Sequence, residues 1–283
     1  MINAEYYSKE RDSKDSESKD TFIISNKNGM IINSFDDWKR AFIEIDNPTH
    51  WNEYRSAAAL AEFFTSPCVG ESRGSNFIKK WIKGIFGFDF TPICAEIEHE
   101  SRFDSFRGHG RIHDMVIWGQ VKDKDARVIV CVEAKVDEPF GDYISKELEK
   151  ARKTQVDKPN SNRYARIKNL CTKCISNESI NALSNIKYQL MHYLAGSVTE
   201  ARKIGGLLFM PILVFHTQSY REMKGGRNKD DYDKFIKSLD FLRMEINDIS
   251  KEKGIDINEN AVYKKEMDGV TVCTSYIDIY PVK

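Results

Sequence analysis

The chain has 283 residues, 41% hydrophobic and 30% charged, with 43 Lys and Arg balanced by 43 Asp and Glu. That length can bury a core without disulfides or metal staples, and the composition excludes collagen-like, Pro/Gly-rich and wholly unfolded chains. Zero net charge excludes a uniformly basic nucleic-acid coat but leaves local segregation of charge open, and no uncharged apolar run is long enough for a membrane span.

Residues 8–20 (SKERDSKDSESKD) contain nothing that can be buried, so residues 1–21 read as a disordered charged tail. No apolar signal-peptide core follows Met1, and the six cysteines read as reduced thiols of a cytoplasmic protein. Cys171 and Cys174 form one CxxC without the second ligand pair that a structural zinc needs. Order is expected from about Thr21. A helix is predicted over 55–64 (RSAAALAEFF), capped by Ser56, and another over 75–86, where Phe77, Ile78, Trp81, Ile82 and Ile85 recur at helical spacing. The period then changes to two. Residues 112–118 and 128–136 read as strands around a polar turn. Residues 181–198 carry the stripe of an amphipathic helix, 206–216 (GLLFMPILVFH) suit a doubly buried strand, 230–249 read as a helix and 270–280 as a final strand. The expected fold is α/β, one domain over 22–283 with a mixed central sheet flanked by helices.

Chemistry concentrates in Arg111–Gly141. Along the second strand, Val128, Val130, Val132, Ala134 and Val136 share one face, while Ile129, Cys131, Glu133 and Lys135 share the other. Two charges beside a buried strand are costly unless they are paired or bind something. Folding the hairpin about Asp123 puts Asp114 opposite Val132, and a shift of one residue makes Glu133 its partner. Asp114 and Glu133 then form an acidic pair with Lys135 beside it. Paired carboxylates suit Mg²⁺ or Mn²⁺, and a neighbouring ammonium can orient a water or stabilise charge on a phosphate.

Asp114 followed by Glu133-Ala134-Lys135 on adjacent strands resembles the active site of the PD-(D/E)XK nuclease superfamily. More narrowly, VEAKVDEPFG resembles the VEGKV-(D/N)-EPFG segment of a bacterial restriction-endonuclease-like group. The resemblance implies a restriction-endonuclease-like core and Mg²⁺- or Mn²⁺-dependent phosphodiester hydrolysis, with DNA as the favoured nucleic-acid partner. It also implies metal ligation by Asp114 and Glu133, aided by the Ala134 carbonyl, and Lys135 as catalytic lysine. His113 stands where the superfamily name has Pro.

Glu96, Glu98 and Glu100 alternate and are expected on one strand face. Glu98 is the chosen additional metal ligand, with Glu62 on the Ala-rich helix as competitor. Gln189 and Tyr193, at i and i+4 flanking a helix stripe, resemble the Q-x-x-x-Y helix of the RecB-like branch, where it positions the DNA and the active site. His109 and His113 are read as non-catalytic, with His113 pointing away from Asp114. Nine bases against three acids over 146–173 give 9 − 3 = +6. Arg163, Arg166 and Lys168 within this window are read as nucleic-acid contacts. The competing reading is a catalytically inactive nuclease-fold module for nucleic-acid binding or assembly. A homodimer is left open.

Overall fold

The computed structural model describes residues 22–46, 48–68, 70–121, 126–136, 138–174, 180–216, 227–244, 255–256 and 262–280. The charged tail and the tip of the 122–125 turn lie outside the described residues. The elements comprise β1 (Ile23–Ser25), β2 (Ile31–Ile32), α1 (Phe35–Ile45), α2 (Ser56–Thr65), β3 (Pro67–Cys68), β4 (Glu71–Ser72), α3 (Arg73–Phe86), β5 (Phe90–Ser101), β6 (Arg111–Val121) and β7 (Ala126–Lys135). There follow α4 (Ile144–Asp157), α5 (Arg163–Cys174), α6 (Tyr188–Ile204), β8 (Leu207–Phe215), α7 (Arg227–Ser238), β9 (Leu242–Met244), β10 (Ile255–Asp256), β11 (Val262–Met267) and β12 (Val270–Ile279).

One mixed sheet organises the molecule, in the order β2-β1-β5-β6-β7-β8-β12-β11-β9, with β10 also on β12. β5, β6 and β7 form an antiparallel meander, while β7, β8 and β12 run parallel. The fold is therefore mixed α/β. Trp38, Phe64, Phe77 and Trp81 of α1–α3 pack on the sheet face that carries Met115, Ile117, Val128, Val130, Val132 and Ala134. Leu170, Leu190, Leu194, Tyr232 and Phe235 of α5–α7 cover the other face, with Val116, Trp118, Ile129 and Cys131. Each fully buried large side chain contributes about 1.5–3 kcal/mol, so a sheet covered on both faces holds its central strands rigidly.

Local chemistry sets the helix ends. The Ser72 hydroxyl accepts from the Ser75 N–H at 3.2 Å and caps α3, and Gly87 (φ 73) ends it in the left-handed region. Three sequence expectations change. Ser56 lies inside α2, whose N-cap is Arg55 without a side-chain cap, and Ser56 instead bonds to Glu138. The helix expected from 181 begins at Tyr188, after a 3₁₀ turn over Ile180–Leu183. The helix expected over 230–249 ends at Ser238, and Leu242–Met244 pair with β11 as an edge strand. An apolar residue every three or four positions cannot tell a helix that continues from one that turns into a strand.

Candidate functional site

The β6–β7 ladder runs down to Met115 opposite Val132, so its next position sets Asp114 opposite Glu133. The β5–β6 ladder pairs Ile97 with Met115 and His99 with His113, which leaves Glu98 and Asp114 opposed between them. Three neighbouring strands thus bring three carboxylates to one level of the sheet.

That level is where the alternation slips. Val116 and Trp118 face α4–α7, and Met115 and Ile117 face α1–α3. Continued alternation would turn His113 towards α1–α3. Instead its ring lies 5.7 Å from that of Tyr193 on α6, and the Arg111 guanidinium lies 5.8 Å from the same ring. β5 slips at the same place: Glu98 has φ 51, a left-handed conformation that disfavours side chains, at a cost of about 1–3 kcal/mol. Glu96, Glu98 and Glu100 therefore do not share one environment. Glu96 bonds His99 Nδ1 at 2.8 Å, and Glu100 accepts from the Gly110 N–H at 2.7 Å. Glu98 is left beside Asp114. Glu62 is an exposed residue of α2.

Glu133 is 1% exposed and is gripped on both oxygens. Oε1 accepts from Gln189 Nε2 at 2.6 Å and pairs with Lys135 Nζ at 2.8 Å, while Oε2 meets the Arg111 guanidinium. Burial opposes its charge, yet Arg111 and Lys135 hold its pKa below the usual carboxylate value. Burial likewise works against the Lys135 ammonium, but Glu133 and Asp114 more than offset it and raise its pKa. Asp114 Oδ2 accepts from the Ala134 N–H at 2.6 Å. Burial and the Glu133 charge nevertheless lift Asp114 to about 7. Burial and the Asp114 charge push Glu98 well above the usual carboxylate range. Glu98 and Asp114 both keep some solvent contact.

Gln189 and Tyr193 lie closer to the centre than flanking positions on the stripe suggest. Tyr193 is 1% exposed, and its hydroxyl lies against the carbonyls of Cys131 and, at 3.1 Å, Pro211. Pro211 has no N–H to give the β7–β8 ladder, and the Tyr193 hydroxyl supplies a donor at that gap, two residues before Glu133. Buried there, Tyr193 can position the strand but cannot touch a nucleic acid. In the basic window, Arg166 is bound to Asp104 through two bonds of 2.7 and 3.0 Å, and Arg163 is bound to Glu147. Lys168 is exposed, 5.6 Å above the Tyr164 ring. His113 is fully buried, and neither ring nitrogen has a hydrogen-bond partner. Cys171 packs in the core.

Arg111 escaped sequence reasoning. Strict alternation puts it and Asp114 on opposite faces, and only the slip brings its guanidinium to Glu133. One signal was present: a buried carboxylate needs a donor on each of its two oxygens, and Arg111 opens the same strand as Asp114.

The donor atoms are carboxylate oxygens, the ligand type that suits a small hard cation. Mg²⁺ binds through one or two carboxylates and keeps waters, and here Glu98, Asp114 and Glu133 outnumber Arg111 and Lys135 three to two. Among the described residues, no group of three or more His, Cys, Asp or Glu side chains is placed so that it could hold a metal ion.

A family model described as a domain of unknown function (DUF6946) matches residues 31–278. The chain belongs to this family. The matched span runs from β2 through most of β12 and includes all three carboxylates. No curated protein and no solved structure matches the chain. Among the described residues, no helix is long and apolar enough to cross a membrane.

Proposed function

We propose that this DUF6946 protein is a metal-dependent nuclease that hydrolyses phosphodiester bonds, with DNA as the favoured substrate. The observation carrying this reading is the convergence of Glu98, Asp114 and Glu133 on three adjacent strands with Lys135 beside Glu133. Asp114, Glu133, Glu98 and the Ala134 carbonyl would hold Mg²⁺ or Mn²⁺. Such an ion, when bound, supplies Lewis-acid polarisation of a phosphoryl oxygen and a bound water of lowered pKa.

The remaining work falls to side chains. The Ala134 N–H fixes one oxygen of Asp114 and leaves the other free to ligate. Gln189 orients Glu133 from α6, as a hydrogen-bonding partner behind a ligand does. Lys135, kept protonated by two carboxylates, places a cation where negative charge develops on the phosphate and can orient the attacking water.

The test is incubation of purified protein with Mg²⁺ or Mn²⁺ and single-stranded DNA, duplex DNA or RNA, with Lys135→Ala as control. Cleavage by wild type alone supports the reading, and no cleavage of any substrate sinks it. A second reading, a non-catalytic nucleic-acid-binding or assembly module, draws on the saturation of Glu133 by Arg111, Lys135 and Gln189. It predicts retention of an oligonucleotide without cleavage.

A further inference from the structure

Arg111 is expensive to place where it is. It is 8% exposed, its Nε–H has no hydrogen-bond partner, and its guanidinium lies between Glu133 and the face of Tyr193. Burying a guanidinium costs several kcal/mol unless its interactions compensate. The fold also makes room for it. At Gly196 of α6, a Cβ would fall 2.8 Å from Arg111 Cβ and 2.9 Å from His113 Nε2, too close for any other residue without displacement. A packing role would be met by an apolar side chain at far lower cost.

The charge count suggests another purpose. Glu98, Asp114 and Glu133 contribute three acidic groups, and Lys135 and Arg111 two cations. Lys135 reaches one oxygen of Glu133, and Arg111 takes the other. A divalent ion approaching Asp114 and Glu133 therefore meets a carboxylate already held by a resident cation.

We propose that Arg111 is a positioning residue and built-in counter-cation of this site, which clamps Glu133 and sets how tightly the site binds a divalent ion. The inference rests on the metal-dependent reading above and adds to it the control of metal affinity. Coulomb repulsion between the guanidinium and the incoming ion weakens binding, while the clamp keeps Glu133 aimed. Loss of the positive charge should therefore tighten metal binding and slow turnover together. A residue that merely supports the fold would not produce that combination.

The experiment is titration of the full chain with Mn²⁺ alone, by calorimetry or by the electron-spin signal of free Mn²⁺, at fixed pH and ionic strength. Arg111→Gln is expected to lower the Mn²⁺ Kd roughly tenfold, from the loss of one charge beside the ion, and to reduce kcat roughly 10- to 100-fold. Arg111→Lys, which keeps a cation beside the ion, should stay within about twofold of the wild-type Kd. Arg111→Met, which keeps much of the stem packed on Tyr193, replaces Arg111→Gln if that variant does not fold. Unchanged or weaker Mn²⁺ binding in the folded, charge-free variant overturns the inference, as does equal tightening in Arg111→Lys. Those results leave wild-type cleavage intact and so differ from failure of the nuclease reading, in which wild type neither binds Mn²⁺ nor cuts. That failure removes both.

Discussion

Glu98 and His99 are consecutive residues of β5, yet they belong to two buried polar regions of opposite character. His99 lies between Glu96, at 2.8 Å, and Glu200, at 3.5 Å, and Glu200 also pairs with Lys203 at 2.6 Å. With His99 protonated, two acids face two cations. Burial pulls its pKa down, but Glu200 and Glu96 prevail and lift it to about 9. Glu98 instead joins Asp114 and Glu133, where two cations oppose three acids, and both Glu98 and Asp114 are driven towards the neutral form. A balanced buried cluster is complete as structure. An unbalanced one takes up positive charge, as protons or as a bound cation, which is why the second region supports a catalytic reading and the first does not.

The comparison can be broken at its strongest point first. Lys135→Ala should reduce Mg²⁺-dependent cleavage by about 10²–10⁴-fold, the range for removal of a positioned proton-handling or charge-stabilising group. His99→Gln should leave the rate within a few-fold in single-turnover assays. Equal loss in both variants would erase the distinction between the regions.

The next effect is on stability. Asp114 titrates higher in the folded chain, at about 7, than its ordinary 3.8, so the folded state binds the extra proton between those values. Stability contributed there falls as pH rises from about 4 to 7. His99 is also raised, from 6.5 to about 9, so its contribution is complete below 6.5 and is lost as pH rises through 9. On the linkage scale these contributions are at most about 4 kcal/mol for Asp114 and about 3 kcal/mol for His99. Melting curves across pH should show both declines, with Asp114→Asn shrinking the lower one, which the raised Glu98 shares, and His99→Gln removing the upper. Added Mn²⁺ should raise stability increasingly as Asp114 deprotonates; the gain should disappear in Asp114→Asn and persist in His99→Gln, and an equal response in both variants would contradict the division.

A smaller change comes from Gln189→Ala, which leaves Lys135 as the remaining partner of Glu133 Oε1 and should lower Mn²⁺ affinity or turnover roughly 10- to 100-fold. Direct binding and initial rates measure the two. Tyr193→Phe is the mildest. It strips the donor from the β7–β8 gap and should cost about 1–3 kcal/mol of unfolding free energy in urea, with a smaller effect on substrate binding. A selective loss of DNA affinity would show that Tyr193 reaches the nucleic acid after all.

Much of the site was legible because strand chemistry is local. The apolar set Val128, Val130, Val132 and Ala134 identified a buried face of β7, and period-two alternation then forced Glu133 and Lys135 onto the other. Counting back through the hairpin reached Asp114 with one residue of ambiguity, which the ladder resolves in favour of Glu133. The basic window was less informative. Its sum of +6 is real, but Arg163 and Arg166 are held by Glu147 and Asp104, the latter 62 residues away in sequence. Net charge over a window is blind to partners outside it.

The sequence by itself determined the mixed α/β class and the two faces of β7, with Glu133 and Lys135 together on one of them, because these follow from neighbours a few positions apart. Only the tertiary structure decided which upstream glutamate joins them, that Arg111 clamps Glu133, and that Tyr193 mends a sheet interrupted by Pro211. Each depends on a break in local periodicity, the slip at Glu98 and Asp114 or the missing N–H of Pro211. Such breaks persist because strands and helices distant in the chain hold them in place.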